Sequence, residues 1–178
     1  MTIDNSPNPE IYVADLAAYN AGKLRGKWID ANQEVDNIQA EIEEMLSSSP
    51  ELFAEEYAIH DYEQFYGVEN YLGEYPSLEN VATVAKLIAE KGELAGLVIA
   101  HFCGDLNEAK QALEDKYSGE HDSLADYAEE LSEDSVGDIP DFIARYIDYE
   151  KMGRDMELGG DLFTLTTNDG KVHVFWNH

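Results

Sequence analysis

Between Trp28 and Ala85 the chain carries fourteen acidic residues and neither a lysine nor an arginine. Surface helices normally interleave both signs, so that residues three and four apart attract one another. A run of one sign forgoes that attraction, and its self-repulsion works against compaction. Such a chain folds only where apolar residues share one face of each element and supply a core. That pattern is present: Val35, Ile38, Ile42 and Met45 recur at helical spacing within the same stretch.

The imbalance runs through all 178 residues, with 38 acidic against 11 basic and a formal net charge of -27. High charge with few apolar residues describes disorder. Here the apolar fraction is 44% and there are eleven tyrosines, so the chain reads as a folded acidic protein. Its length suits one large domain or two to three small ones. The charge excludes the usual DNA-binding or phospholipid-binding surface, which needs a basic face. The expectation is a basic partner, with no direct nucleic-acid binding and no membrane association. The start MTIDNSPNPE lacks the basic and apolar regions of a signal peptide, and no run approaches a membrane span. The single cysteine, Cys103 in LVIAHFCG, reads as a small buried residue on a helix and fits a reducing cytoplasm.

Alternation in EIYVADL (10–16) predicts a strand, followed by a turn at Tyr19 to Gly22. LRGKWID (24–30) predicts a second strand. Around it Lys23, Arg25 and Lys27 form the only basic cluster, read as a strand edge or an internal neutralising patch. A helix begins near Asn32 and ends at Ser47-Ser48-Ser49-Pro50. EEYAIHDYE (55–63) predicts a short strand that closes a three-stranded sheet.

Ser77 is a helix cap before the stripe Leu78, Val81, Ala85 and Ile88, and Gly92 stops that helix. Glu93 to Phe102 predicts an apolar helix with His101 at its core or boundary. Asp105 caps a helix lined by Leu106, Ala109 and Leu113. SLADYAEELSED (123–134) places Leu124, Tyr127 and Leu131 on one helical face, and Val136 to Pro140 breaks it. Asp141 caps a helix whose stripe is Phe142, Tyr146 and Tyr149, or Ile143, Ile147 and Glu150; Gly153 to Gly160 reads as loop. Apolar runs on both sides of Asn168-Asp169-Gly170 predict a hairpin. The fold class is α+β, with an N-terminal sheet-and-helix domain (10–75), a central helical bundle (76–117) and a C-terminal domain of helices and hairpin (118–178).

The sequence offers no catalytic residues, metal ligands or cofactor motif. His60, His101, His121, His173 and His178 lack zinc spacing, and one cysteine cannot supply the usual thiolates. His60-Asp61 beside Glu63 reads as a strand edge. Carboxylate pairs are unavoidable at this density, so they do not indicate a glycosidase. There is no EF-hand loop, no phosphate-binding glycine loop and no GxSxG. The reading is a non-enzyme whose charge is its function. Duplex DNA carries one negative charge per ~1.7 Å, so -27 matches roughly 46 Å, or about 13 base pairs. A carboxylate surface of this kind could enter a basic DNA-binding groove. The alternative is an acidic interaction module or chaperone for another basic DNA-binding protein, such as a histone-like one. A carboxylate-pair hydrolase is a distant third.

IYVADLAAYNAGKLRGKWIDA (11–31), EEYAIHDYE (55–63), EELSEDSVGDIP (129–140) and IDYEKMGRDMELGGD (147–161) together resemble the ArdA antirestriction proteins, from about residue 10 to the C-terminus. The resemblance implies an elongated protein of three small domains, a homodimer through the C-terminal one. It implies a mimic of B-form DNA that occupies the DNA site of type I restriction–modification enzymes, formed by their methylase and specificity subunits. Such proteins are carried by plasmids and conjugative transposons. The family's antirestriction motif falls by position on Glu129 to Pro140.

The candidate DNA-mimic carboxylates in the N-terminal domain are Glu34, Asp36, Glu41, Glu44, Glu55, Glu56, Glu63, Glu69 and Glu74. Glu79 and Asp115 follow in the central domain. Glu120, Asp122, Asp126, Glu129, Glu130, Glu133, Asp134 and Asp138 complete the set in the C-terminal domain. Two chains of this charge repel, so a contact between copies must be apolar or locally neutral. Phe142, Tyr146, Tyr149, Val174 and Trp176 are the candidates, with Arg145, Lys151 and Arg154 nearby.

Overall fold

The first apolar alternation becomes the middle strand of a sheet. In the computed structural model, which describes residues 6–178, β1 (Glu10–Asp15) lies between β2 (Gly26–Asp30) and β3 (Tyr57–Glu63), antiparallel to both. The middle strand is hydrogen-bonded along both edges, and Ile11, Val13, Ala14 and Asp15 are all buried. Asp15 also caps α1 (Leu16–Asn20), accepting from the Ala18 N–H at 3.1 Å. The turn expected over Tyr19 to Gly22 is therefore confined to Ala21 and Gly22, because this cap starts a helix that runs through Asn20.

Beside the sheet, α2 (Val35–Ser47) buries Ile38, Ile42 and Met45. Its last turn contains no base of its own. Arg25 serves the orphan carbonyls instead: its Nη2 donates to the Ser48 oxygen at 2.6 Å and to that of Met45 at 3.4 Å.

A short α3 (Glu69–Leu72) precedes α4 (Leu78–Lys91), whose cap Ser77 accepts from the Asn80 N–H at 3.1 Å. The predicted stripe Leu78, Val81, Ala85 and Ile88 is buried, and Gly92, at φ 59°, separates α4 from α5 (Glu93–His101). Gly96 inside α5 is required by a close crossing, since a Cβ there would lie 2.7 Å from Tyr66 Cβ. Asp105 accepts from the N–H groups of Asn107 and Glu108, starting α6 (Leu106–Gln111).

Two expectations fail here. Cys103 is exposed, and so is His101. The apolar period stops with α5; Cys103 then takes φ 53° and Gly104 φ 88°, a left-handed reversal that carries the chain away from the core.

The chain divides into two compact units, residues 1–109 and 110–178. The boundary expected near residue 75 falls inside the first unit, where α2 packs on α4. In the second unit a π-helical turn (Ala112–Lys116) leads into β4 (Tyr117–His121). Ser123 caps α7 (Leu124–Val136), and α8 (Asp141–Ala144) and α9 (Tyr149–Leu158) follow. The hairpin β5 (Leu162–Thr166) and β6 (Val172–Trp176) closes as expected through the turn at Gly170, φ 85°. The sheet order is β4-β6-β5, all antiparallel. One face carries Leu162 and Val174 against Tyr127, with Leu124, Leu131 and Met156 packed around them. Phe175 meets Phe163 and Tyr117 rings at 4.9 and 5.1 Å.

Three elements of this unit differ from the sequence reading. The strand β4 has no counterpart among the elements that the sequence pattern predicts. One long helix from Asp141 is instead the single turn α8 and a separate α9, because Asp148 caps anew by accepting from the Lys151 N–H at 2.9 Å. Residues 153–158, read as loop, are helical. Gly153 there is a contact residue: a Cβ would fall 2.8 Å from Leu124 Cγ and 2.9 Å from its carbonyl oxygen, so α7 and α9 cross at backbone distance. Among the described residues the architecture is nine α-helices and two three-stranded antiparallel sheets, an α+β fold.

Candidate functional site

Helical spacing sorts α7 into two faces. Leu124, Tyr127 and Leu131 turn inward onto the sheet. Asp126, Glu129, Glu130, Glu133 and Asp134 are all exposed. Their spacings of three, one, three and one keep the five carboxylates on one side of the helix. At 1.5 Å per residue they cover about 12 Å, or roughly one charge per 3 Å. Duplex DNA offers one per ~1.7 Å counting both strands and one per ~3.4 Å counting one. The α7 face lies between those limits. Gly137, at φ 79°, ends the helix, and Asp138 follows it exposed.

Of the nineteen carboxylates singled out from sequence, all but Glu41 and Glu69 are exposed. Exposure does not make them equal. Lys27 Nζ lies 2.7 Å from Glu41 and 3.9 Å from Glu44. The hydrogen bond from Lys27, then that from Gln33, holds the Glu41 carboxyl below the usual carboxylate range, and Lys27 is raised by the same contact. Lys171 Nζ lies 2.6 Å from Asp122 and lowers that carboxyl likewise. Glu130 faces His121 Nδ1 at 3.3 Å. Glu69 keeps one oxygen enclosed without a hydrogen-bond partner. Burial, and after it the negative charge of Glu69, pushes up the phenol of Tyr62, which donates to the Gly73 carbonyl at 2.6 Å. Glu41 and Asp122 thus already hold a lysine.

Glu34, Asp36, Glu55, Glu56, Glu63, Glu74, Glu79, Asp115, Glu120, Glu129, Glu133, Asp134 and Asp138 pair with no base among the described residues. Glu43, Glu114 and Glu150, outside those nineteen, are equally exposed. Helical position relative to the buried stripe was the signal that could have found them.

The basic cluster turns toward its own unit. Lys23 pairs with Glu51, Arg25 Nε lies 3.7 Å from the buried Asp15, and Lys27 takes Glu41. The candidate copy-to-copy contacts separate as well. Phe142 is 66% and Tyr146 84% exposed, Tyr149 is half-buried, and Trp176 packs against the core around Tyr127. Val174 is fully enclosed, because β6 is the middle strand and its side chain fills the space between sheet and helices. It has no surface to offer a partner. Arg145, Lys151 and Arg154 are exposed. No group of three His, Cys, Asp or Glu side chains among the described residues is arranged to hold a metal ion. No helix of those residues is long and apolar enough to cross a membrane.

An α+β frame covered by exposed, largely unpaired carboxylates defines an acidic protein suited to a basic partner. Residues 11–170 match the family described as antirestriction protein (ArdA), and the chain belongs to the ArdA antirestriction family. No curated protein matches the chain. The family's function is antirestriction, which its members exert as inhibitors engaging restriction enzymes rather than as catalysts.

Proposed function

We propose that this chain inhibits type I restriction–modification enzymes by presenting carboxylates in place of DNA phosphates within the groove of the methylase and specificity subunits. The observation that carries the reading is the α7 face. Five exposed carboxylates at near-phosphate density lie on it, and four of them, Glu129, Glu130, Glu133 and Asp134, fall in the stretch Glu129 to Pro140 on which the resemblance places the family's antirestriction motif. A basic groove meeting that face exchanges small counterions for fixed charge, as it does on duplex DNA. The protein works in the cytoplasm of a cell that has received a plasmid or conjugative transposon.

A homodimer through the second unit belongs to the same proposal. Exposed Phe142 and Tyr146 lie beside Arg145, so a contact there is apolar and locally less acidic than the rest of the chain. Two copies carry charge equivalent to roughly 26 base pairs of duplex. The finer three-part division, with boundaries at residues 75 and 117, is likewise proposed. The test is displacement. The chain should release a specific labelled duplex from the methylase competitively, with its apparent affinity falling in proportion to added duplex. Inhibition that added duplex leaves unchanged contradicts the proposal.

A further inference from the structure

We infer that the first unit holds a receptor for one guanidinium group, a cleft around Tyr75 in which an arginine of the inhibited enzyme's DNA-binding groove docks. This rests on the function proposed above and adds to it a single point of concentrated recognition on a surface of dispersed charge.

Two adjoining depressions of about 450 Å³ each share Leu16 and Tyr75 as walls. Tyr19, His60 and Glu74 close one, and Glu55, Glu56 and Tyr57 close the other. Exposed apolar residues scattered singly are ordinary. Here Tyr19, Tyr57, Tyr75 and Glu55, Glu56, Glu74 line two depressions that meet at Leu16 and Tyr75, and Tyr75 and Tyr19 remain 71% and 51% exposed. Tyr19 is held edge-on against His60 at 5.1 Å. The walls are fixed by backbone bonds. The Leu16 N–H donates to the Glu56 carbonyl at 3.1 Å, and the Ile59 N–H donates to that of Glu74 at 2.9 Å. The recess is thus set before a ligand arrives.

Its charge is uncompensated. Glu55, Glu56 and Glu74 pair with no base among the described residues, and residues 28–85 contain none. Lys23 and Arg25 are already held by Glu51 and Asp15. A cation over a tyrosine face is attracted by the ring, and a carboxylate binds the planar guanidinium fork through two hydrogen bonds. Arginine satisfies both at once and is less strongly hydrated than lysine, so this combination selects guanidinium over ammonium. A DNA phosphate supplies only the anionic half of such a site.

The test uses the whole chain with 13C-labelled tyrosine, titrated with the amides of N-acetyl-arginine, N-acetyl-lysine and N-acetyl-citrulline. The expected result is saturable shifts at Tyr19, Tyr57 and Tyr75 with arginine, several times weaker binding of lysine, and none of citrulline. Tyr146, 84% exposed in the second unit, should not respond. Tyr75→Ala should abolish saturation and weaken inhibition of a type I enzyme about tenfold, while Tyr75→Phe preserves both. Equal, unsaturable drift at all exposed tyrosines, indistinguishable arginine and lysine binding, or full inhibition by Tyr75→Ala overturns the inference. Saturable arginine binding by a chain that fails to inhibit leaves the receptor standing and removes the proposed target. Inhibition without arginine binding removes the receptor alone.

Discussion

Residues 1–109 hold 21 acidic against 5 basic residues, a net -16, and residues 110–178 hold 17 against 6, a net -11. Each unit therefore carries about one net negative charge per six to seven residues. The cores beneath that charge are unequal. Among the described residues 23 apolar side chains are buried in the first unit and 7 in the second. Each fully buried large apolar side chain contributes about 1.5–3 kcal/mol, so the second unit opposes a similar repulsion with fewer such contributions per residue. It also leaves Val136, Phe142, Tyr146 and Leu158 exposed. The first unit exposes large apolar side chains too: Tyr19, Trp28, Tyr66, Tyr71 and Tyr75, and Leu24, Leu52 and Phe53 in loops joined by the Lys23–Glu51 ion pair. Charge density is thus uniform where core density is not, which marks the second unit as the part whose stability depends most on screening.

The largest effect should come from its small core. Leu162→Ala removes a fully enclosed side chain from the group it forms with Tyr127 and Val174, at a cost of about 2–5 kcal/mol. Hydrogen exchange should then show lost protection over residues 110–178 and retained protection over β1, β2 and β3. Parallel loss in both units contradicts their independence. Next in size are the two close approaches at glycine. Gly153→Val must displace Leu124, and Gly96→Val must displace Tyr66, each costing about 1–3 kcal/mol. Denaturant titration should show the larger fractional loss for Gly153→Val; equal fractional losses erase the contrast in cores.

Tyr146→Lys adds charge to an 84% exposed ring and should leave a folded chain whose self-association is at least about tenfold weaker by sedimentation. A wild-type chain already monomeric at micromolar concentration removes the proposed dimer. The smallest effects belong to paired carboxylates, one in each unit. Contact with Lys27 lowers Glu41, and contact with Lys171 lowers Asp122. A depressed carboxyl stabilises above its unfolded value, near 4, and that contribution disappears as pH falls through the lower folded value. Glu41→Gln and Asp122→Asn should therefore be slightly less stable than wild type at pH 7 and equal to it well below pH 4. A deficit that persists in acid assigns the effect to packing.

The strands and helices with strong periodicity were legible in the sequence. β1, β3, α2, α4 and the Asp169-Gly170 hairpin fall where alternation, caps and turn residues put them. β4 was not, because Tyr117-Ser118-Gly119-Glu120-His121 has no apolar alternation and pairs only through β6, over fifty residues away. The glycine in α9 looked like a loop residue, since its reason lies in the close approach of Leu124. Cys103 looked buried because the apolar run before it gives no sign of the left-handed reversal at its own backbone. For the carboxylates, the sequence showed their number and signs but not which were already paired. Glu41 and Asp122 meet lysines 14 and 49 residues away. The Tyr75 recess joins residues from positions 16 to 76, and nothing local in any of them shows that they meet.

Dispersed charge makes one direct demand. The affinity of the chain for a type I methylase, measured between about 50 and 200 mM salt, should fall linearly on logarithmic axes and steeply, by at least about a hundredfold, in parallel with the enzyme's affinity for its own duplex. An affinity that barely changes over that range contradicts carboxylates acting in place of phosphates.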